Sequence, residues 1–264
     1  MGNTSFRIRS FIVHLFTALR NDRGFGVQSP FAYNLLKDAI HGEHSFYAFL
    51  DLRKEKNRML RVKRKIEVED FGAGGYRSYW CPICEIVFKS VKSSGQQEML
   101  FRLVNYMKSS SILELGTSLG LTTAYLASAN PKAQVVTIEA CHSCAKEATD
   151  LWKKLSLNNI TLIEDTFENR LLPSLKLLKN VDFVFIDGNH TGKALEQYFN
   201  QVLPFCTKNC MVIADDIYWS ADMFQTWERI RNHPSVRVSF NLFHMGIMIL
   251  NSDVTPGHYK AIVF

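Results

Sequence analysis

Six carboxylates in this chain stand at the ends of short apolar runs, where a folded backbone can gather them: Glu114, Glu139, Asp165, Asp187, Asp215 and Asp216. Glu114 opens the segment Glu114-Leu115-Gly116-Thr117-Ser118-Leu119-Gly120, and its two glycines let the backbone turn tightly against a ligand. Glu139 follows 25 residues later, with Ala140 beside it, at the end of the next apolar run. A carboxylate there can accept hydrogen bonds from both hydroxyls of a ribose. Asp187, Asp215 and Asp216 bring three negative charges to one edge, an arrangement that is costly unless something positive neutralises it.

The glycine loop limits the nucleotide. A dinucleotide requires the spacing GxGxxG, which packs backbone against a pyrophosphate at a helix N-terminus, and residues 114–120 lack it. S-adenosylmethionine (SAM) carries no phosphate. It presents a sulfonium and an ammonium, to which an acid such as Glu114 is complementary, directly or through water. Asp165, Thr166 and Phe167 fall where an adenine edge and face would lie. Equally, Asp165 can cap a helix and Phe167 can be core. His190, three residues after Asp187, can take a proton from a phenol or can be a hydrogen-bonded structural residue.

In order, ELGTSLG, TIEA, FIDGNH and ADDIYW resemble the motifs of class I SAM-dependent methyltransferases, nearest the catechol and caffeoyl-CoA O-methyltransferase group, over residues 95–250. The resemblance implies SAM held by Glu114, Gly116, Thr117, Ser118, Gly120, Glu139, Ala140, Asp165, Thr166 and Asp187. It implies Mg²⁺ or another divalent cation on Asp187, Asp215 and Asp216, although Asp216 stands where those enzymes have an asparagine. His190 stands where they place a lysine that deprotonates the acceptor, so Asp187 and His190 are the implied catalytic pair, and Trp219 matches an aromatic wall of the substrate pocket. The implied reaction is O-methylation of a small-molecule hydroxyl. GVQSPF at 26–31 and VEDFGAG at 68–74 resemble segments of unassigned bacterial methyltransferases. The second imitates a SAM loop, but no helix or strand series begins after it, so it reads as a turn that can line the active site.

These residues need a scaffold of α/β type. Strands over 111–115, 134–139, 160–163, 182–186 and 210–214 alternate with helices over 121–128, 143–155, 167–179 and 193–203, the pattern of a mostly parallel, doubly wound Rossmann-like sheet. Segments 236–243 and 246–250 read as a strand pair turning at His244 and Met245, which adds an antiparallel C-terminal strand. A helix over 95–107 leads into the first strand. Residues 1–94 are expected to be a helical, basic N-terminal cap, and 95–264 the SAM-binding domain. Within the cap, 23–30 and 72–75 carry turn punctuation and 29–40 a helical pattern.

Apolar residues make up 47% of the chain and charged residues 21%, which excludes a mainly disordered protein. Residues 1–100 hold 16 Lys/Arg against 10 Asp/Glu, leaving 15 against 15 in the remainder, so the whole excess of +6 is N-terminal. Its densest part, RKEKNRMLRVKRK at 53–65, can meet RNA or another acidic partner, or can be a solvated helix face. An RNA methyltransferase is therefore one alternative function, and a catalytically idle SAM-fold module another.

No run approaches the roughly 20 apolar residues of a membrane span, and no small-residue cleavage site follows FIVHLFTAL, so a cytoplasmic protein is expected. Ile8, Phe11, Ile12, Leu15, Phe16 and Leu19 recur at helical spacing and suit a helix docked on the body, a partner or a membrane surface. A homodimer is compatible with all of this. Six cysteines without a secretory signal argue for reduced thiols, although CPIC at 81–84 and CHSC at 141–144 also have zinc-like local spacing.

Overall fold

A computed structural model describes residues 4–18, 26–72 and 74–262. Leu19, residues 23–25 of the turn at 23–30, and Ala73 lie outside them. The N-terminal part runs α1 (Thr4–Ala18), α2 (Pro30–Leu35), a π-helical turn (Leu36–Ile40), α3 (Ala48–Met59), β1 (Lys65–Asp70), β2 (Arg77–Pro82) and α4 (Ile83–Ser90). Local chemistry fixes several of these starts. Ser29 caps α2 with Pro30 at its first position, where the missing N–H would have had no partner. β1 and β2 form an antiparallel hairpin, Asp70 opposite Arg77, around the turn at 71–76. The turn was expected; its flanking strands and the helix that follows were not.

The remainder runs α5 (Ser94–Met107), β3 (Ser111–Leu115), α6 (Leu121–Ala129), β4 (Gln134–Glu139), α7 (His142–Lys154), β5 (Ile160–Glu164), α8 (Phe167–Leu178), β6 (Val181–Ile186), α9 (Gly192–Val202), β7 (Cys206–Asp215), α10 (Ala221–Arg231), β8 (Val238–Asn241), β9 (Met245–Ile249) and β10 (Gly257–Lys260). A capping box starts α5: the Ser93 hydroxyl accepts from Gln96 N, and the Gln96 side chain accepts from Ser93 N. The eight strands order as β10-β8-β9-β7-β6-β3-β4-β5. From β5 to β7 all neighbours are parallel, β9 is antiparallel to both β7 and β8, and β10 joins β8 in parallel at the edge.

Both faces of this sheet are covered, as near-continuous apolar strands require. Ile112, Val135, Phe183, Phe185 and Ile213 pack on one face with Met99 and Leu103 of α5 and with Leu35 and Leu36. Leu113, Val136, Val184 and Val212 pack on the other with Leu171, Leu175, Tyr198, Phe199 and Trp227. Residues of the N-terminal part therefore complete the same core as the sheet. A third cluster joins Phe49, Leu52 and Met59 of α3 to Phe101, Leu121, Tyr125 and Trp152.

The basic run 53–65 is tied down by this docking. Arg53 Nε meets Glu98 at 2.6 Å and Arg64 meets Glu147 at 2.6 Å. Buried Glu55 takes both Arg58 at 2.7 Å and Lys154 at 2.6 Å, while the Lys56 ammonium donates to the Lys92 carbonyl at 2.6 Å. On the opposite side α1 lies against β10, where buried His14 Nε2 meets the Ala261 carbonyl oxygen at 2.9 Å. Among the described residues no helix is long and apolar enough to cross a membrane.

Candidate active site

β3 is the point at which the chain changes direction across the sheet, with β4 on one side and β6 on the other. In open α/β sheets a ligand crevice forms beyond the carboxyl end of such a strand. The loop after β3 is pinned to both neighbours, because Gly116 N donates to the Ile138 carbonyl at 3.1 Å and Asp187 N donates to the Leu115 carbonyl at 2.8 Å. Gly116 has φ +98°, and a Cβ there would stand 2.0 Å from the Asp187 carbonyl oxygen. Only glycine lets these two strand ends close up. Three non-glycine residues with left-handed backbone follow three strand ends: Ser118 (φ 49°) after β3, Asn189 (φ 45°) after β6 and Asp216 (φ 51°) after β7. Such backbone is uncommon and clusters at ligand sites.

Glu139, half-buried, spans the gap between the first two strand ends. Ser118 N donates to its Oε2 at 2.7 Å and Cys141 N to its Oε1 at 2.9 Å. Burial pushes its carboxyl up to about 7, against the pull of these backbone donors. Glu114 is fully buried. Thr123 and Thr137 donate to its Oε2 at 2.5 and 2.7 Å, and Thr137 also meets Thr117 at 2.5 Å. Burial raises this carboxyl to about 8. Glu114 thus braces the loop from beneath through Thr123 and Thr137, the latter meeting Thr117, and its Oε1 is a buried oxygen without a partner. Gly116 and Ser118 are half-buried, Gly120 caps α6, and Ala140 continues the edge from Glu139.

Asp165 is engaged at the start of α8: its carboxylate accepts from Thr166 N at 2.7 Å, Asn169 Nδ2 at 2.9 Å and Arg170 Nε at 2.9 Å. These bonds lower its carboxyl from the ordinary value, Asn169 foremost. Phe167 stands against Gly188 and makes an edge contact with Tyr198, so its ring borders the crevice beside the β6 end.

At the other end, buried Asp215 and half-buried Asp187 converge on one cation, the ammonium of Lys92. It hydrogen-bonds Asp215 Oδ2 and lies 3.2 Å from Asp187 Oδ2 and 3.4 Å from Asp187 Oδ1. Burial alone would push this ammonium down, but the Asp187, Asp215 and Asp216 charges outweigh it and hold Lys92 well above its ordinary value. The Asp216 carboxylate turns instead toward His190, 3.9 Å from Nε2. The His190 ring is 5.6 Å from Trp219, and the Arg7 guanidinium of α1 lies over that indole at 5.5 Å. His244, in the turn between β8 and β9, is close enough to be influenced by Asp216 and Lys92.

The divalent cation implied by the resemblance does not fit these residues. Lys92 stands between the two aspartates, Asp216 faces a histidine, and no group of three or more His, Cys, Asp or Glu side chains is gathered among the described residues. The four CxxC thiols are not gathered as a zinc site either: all six cysteines are free, and Cys141 instead caps α7 and accepts from Glu69 N of β1. Sequence reasoning missed Lys92 and His244. The signal for Lys92 was available, since three clustered acids demand a cation and Lys92 is the last basic residue before α5.

Residues 113–217, from β3 to just past β7, match the family model described as "Methyltransferase domain". Over those residues the chain is similar to a methyltransferase domain. Solved structures share its fold at low identity. The SAH-bound methyltransferase of Podospora anserina is 16% identical with a TM-score of 0.60, covering 84% of this chain and 96% of that one. The O-methyltransferase of tomaymycin synthesis from Streptomyces achromogenes, in complex with SAM, is 19% identical with a TM-score of 0.54, covering 62% and 82%. The Bacillus cereus O-methyltransferase in complex with SAH is 18% identical with a TM-score of 0.53, covering 79% and 93%. No curated protein matches the chain in sequence. The alignment spans reach well beyond the methyltransferase domain's core strands into the N-terminal part, which packs as one body with them.

Proposed function

We propose that this protein transfers a methyl group from SAM to a hydroxyl oxygen of a small-molecule acceptor. The observation that carries the reading is the Glu139 carboxylate, held at the end of β4 by Ser118 N at 2.7 Å, which joins a ribose-binding acid to the glycine loop. Gly116 to Gly120 cradle the methionine and ribose, Glu139 accepts the ribose hydroxyls, and Phe167 with Thr166 borders the adenine. Glu114 Oε1 is buried and unpartnered, and the ligand's ammonium is complementary to it, directly or through water. When bound, SAM supplies an electrophilic methyl on a sulfonium.

The acceptor then lies between Asp187, His190 and Trp219. His190 takes the hydroxyl proton as the oxygen attacks the methyl carbon and the carbon–sulfur bonding pair returns to sulfur; the Asp216 carboxylate stands 3.9 Å from His190 Nε2. Trp219, steadied by Arg7, provides a flat wall for an aromatic acceptor. Most of the acceleration comes from holding oxygen, methyl and sulfur in line. Within the basic run Arg53, Lys56, Arg58 and Arg64 are engaged in the fold, which supports a docking role for them.

Isothermal titration with SAM tests it. The wild type should bind with one site per chain, and Glu139→Ala should weaken binding at least about tenfold, the loss of roughly 1.4 kcal/mol or more that two hydrogen bonds to a charged group represent. No heat with the wild type, or equal affinity in the variant, would refute the cofactor assignment.

A further inference from the structure

We propose that Lys92 permanently takes the place a divalent cation would hold at the Asp187–Asp215 pair, so that this methyltransferase positions its acceptor oxygen with an ammonium and works without metal. The inference rests on the methyl-transfer reading and deepens it by naming what meets the acceptor hydroxyl.

Three observations carry it. Asp215 ends the central strand β7 with its side chain almost wholly buried, and Asp187 ends the adjacent β6, so their separation is fixed by the sheet and not by loops. The Lys92 side chain, 13% exposed, fills the space between them and bonds both. Its backbone is held in turn: the Lys56 ammonium donates to the Lys92 carbonyl at 2.6 Å and to Gln97 Oε1 at 3.1 Å, while the capping box at Ser93 fixes the next residue. A surface lysine that swings onto passing acids has no such support.

The chemistry left over selects the acceptor. An ammonium has three N–H donors, and two carboxylates occupy its partners here. Asp215 Oδ1 is a buried acceptor with no partner. The remaining N–H matches a lone pair of an acceptor hydroxyl and leaves that hydroxyl's single proton for His190. Once His190 removes the proton, the ammonium stabilises the oxygen's negative charge, as a fixed cation does in a partly dry site. The Asp216 charge also favours the Lys92 ammonium, while burial foremost, with Arg7 and this ammonium adding to it, pushes His244 of the β8–β9 turn down toward its neutral form.

The experiment is a titration of the full-length protein with Mn²⁺, followed by the electron paramagnetic resonance of free Mn²⁺, alongside SAM calorimetry on the same samples. Wild type should leave Mn²⁺ free, and its SAM affinity should be the same in Mg²⁺ and in EDTA. Lys92→Ala exposes the two acids and should bind one Mn²⁺ at least about tenfold more tightly than wild type, with a rise in melting temperature that Asp215→Asn added to it removes. Uptake of Mn²⁺ by wild type that Asp215→Asn abolishes, or no uptake by a folded Lys92→Ala, overturns the proposal. Should Lys92→Ala fail to fold, the wild-type titration decides alone: Mn²⁺ uptake lost in Asp215→Asn overturns it, and no uptake with metal-independent SAM binding upholds it. Wild type that binds SAM and also binds Mn²⁺ at this pair sinks the inference alone, whereas wild type that binds no SAM sinks the methyl-transfer reading.

Discussion

Glu139 shows how one side chain sets a measurable property of the whole site. Burial pushes its carboxyl up to about 7, so a large share of molecules carry the proton at neutrality. Ribose hydroxyls are donors and prefer the ionised acceptor. SAM affinity should therefore be full well above pH 7 and fall as the pH drops through it, in calorimetry from pH 8.5 to 5.5, approaching tenfold per unit only at the acid end. Glu139→Gln should bind weakly and without that slope; a flat wild-type profile would show that the acid does not grip the sugar. At this scale the sequence was informative where a residue stands at a strand end. It was silent where the partner comes from elsewhere in the chain, as Lys92 does for Asp215 across a separation of 123 residues. Glu114 is the converse: its type and place were legible, but not that Thr117, Thr123 and Thr137 would bury it beneath the loop.

Among the elements, strands β3 and β4 have the bounds their apolar runs predict, because burial on both faces writes itself into composition. The same logic explains the omissions. β2, RSYWCP, is exposed along most of its length, and β10, GHYK, is a short edge strand, so neither carries a buried alternation to be read. α10 went unread although it is decisive for packing: its Trp227, fully buried, lies over Gly246 of β9 so closely that a Cβ would come within 2.3 Å of the ring. Gly246→Ala must displace either the indole or the strand that pairs with Ala214, next to Asp215. It should lower stability by about 1–3 kcal/mol, the usual range for overpacking, read as a shift of the urea midpoint with unchanged slope. Unchanged stability would mean that β9 and α10 are not packed as described.

At the level of the molecule, an N-terminal charge excess, a sheet and a cap come together as one arrangement. The basic run at 53–65 reads in isolation as a surface for RNA, yet the fold sets it against Glu98, Glu147 and the Lys92 carbonyl, so its charge docks α3 onto α5 and α7. The cap thereby delivers Lys92, and α1 delivers Arg7, to a site whose other residues all lie beyond the strand ends. One face of α1 is occupied in this way through Phe6 and His14, while Ile8, Ile12, Val13 and Phe16 remain exposed. The central claim is that the edge formed by β3, β4, β6 and β7, closed by the cap, binds an adenosyl sulfonium. A crystal structure with S-adenosylhomocysteine tests it most directly. The account predicts density along residues 116–120 with both ribose hydroxyls on Glu139 and the sulfur directed toward Asp187 and the Lys92 ammonium; ligand density elsewhere, or a ribose out of reach of Glu139, would contradict it.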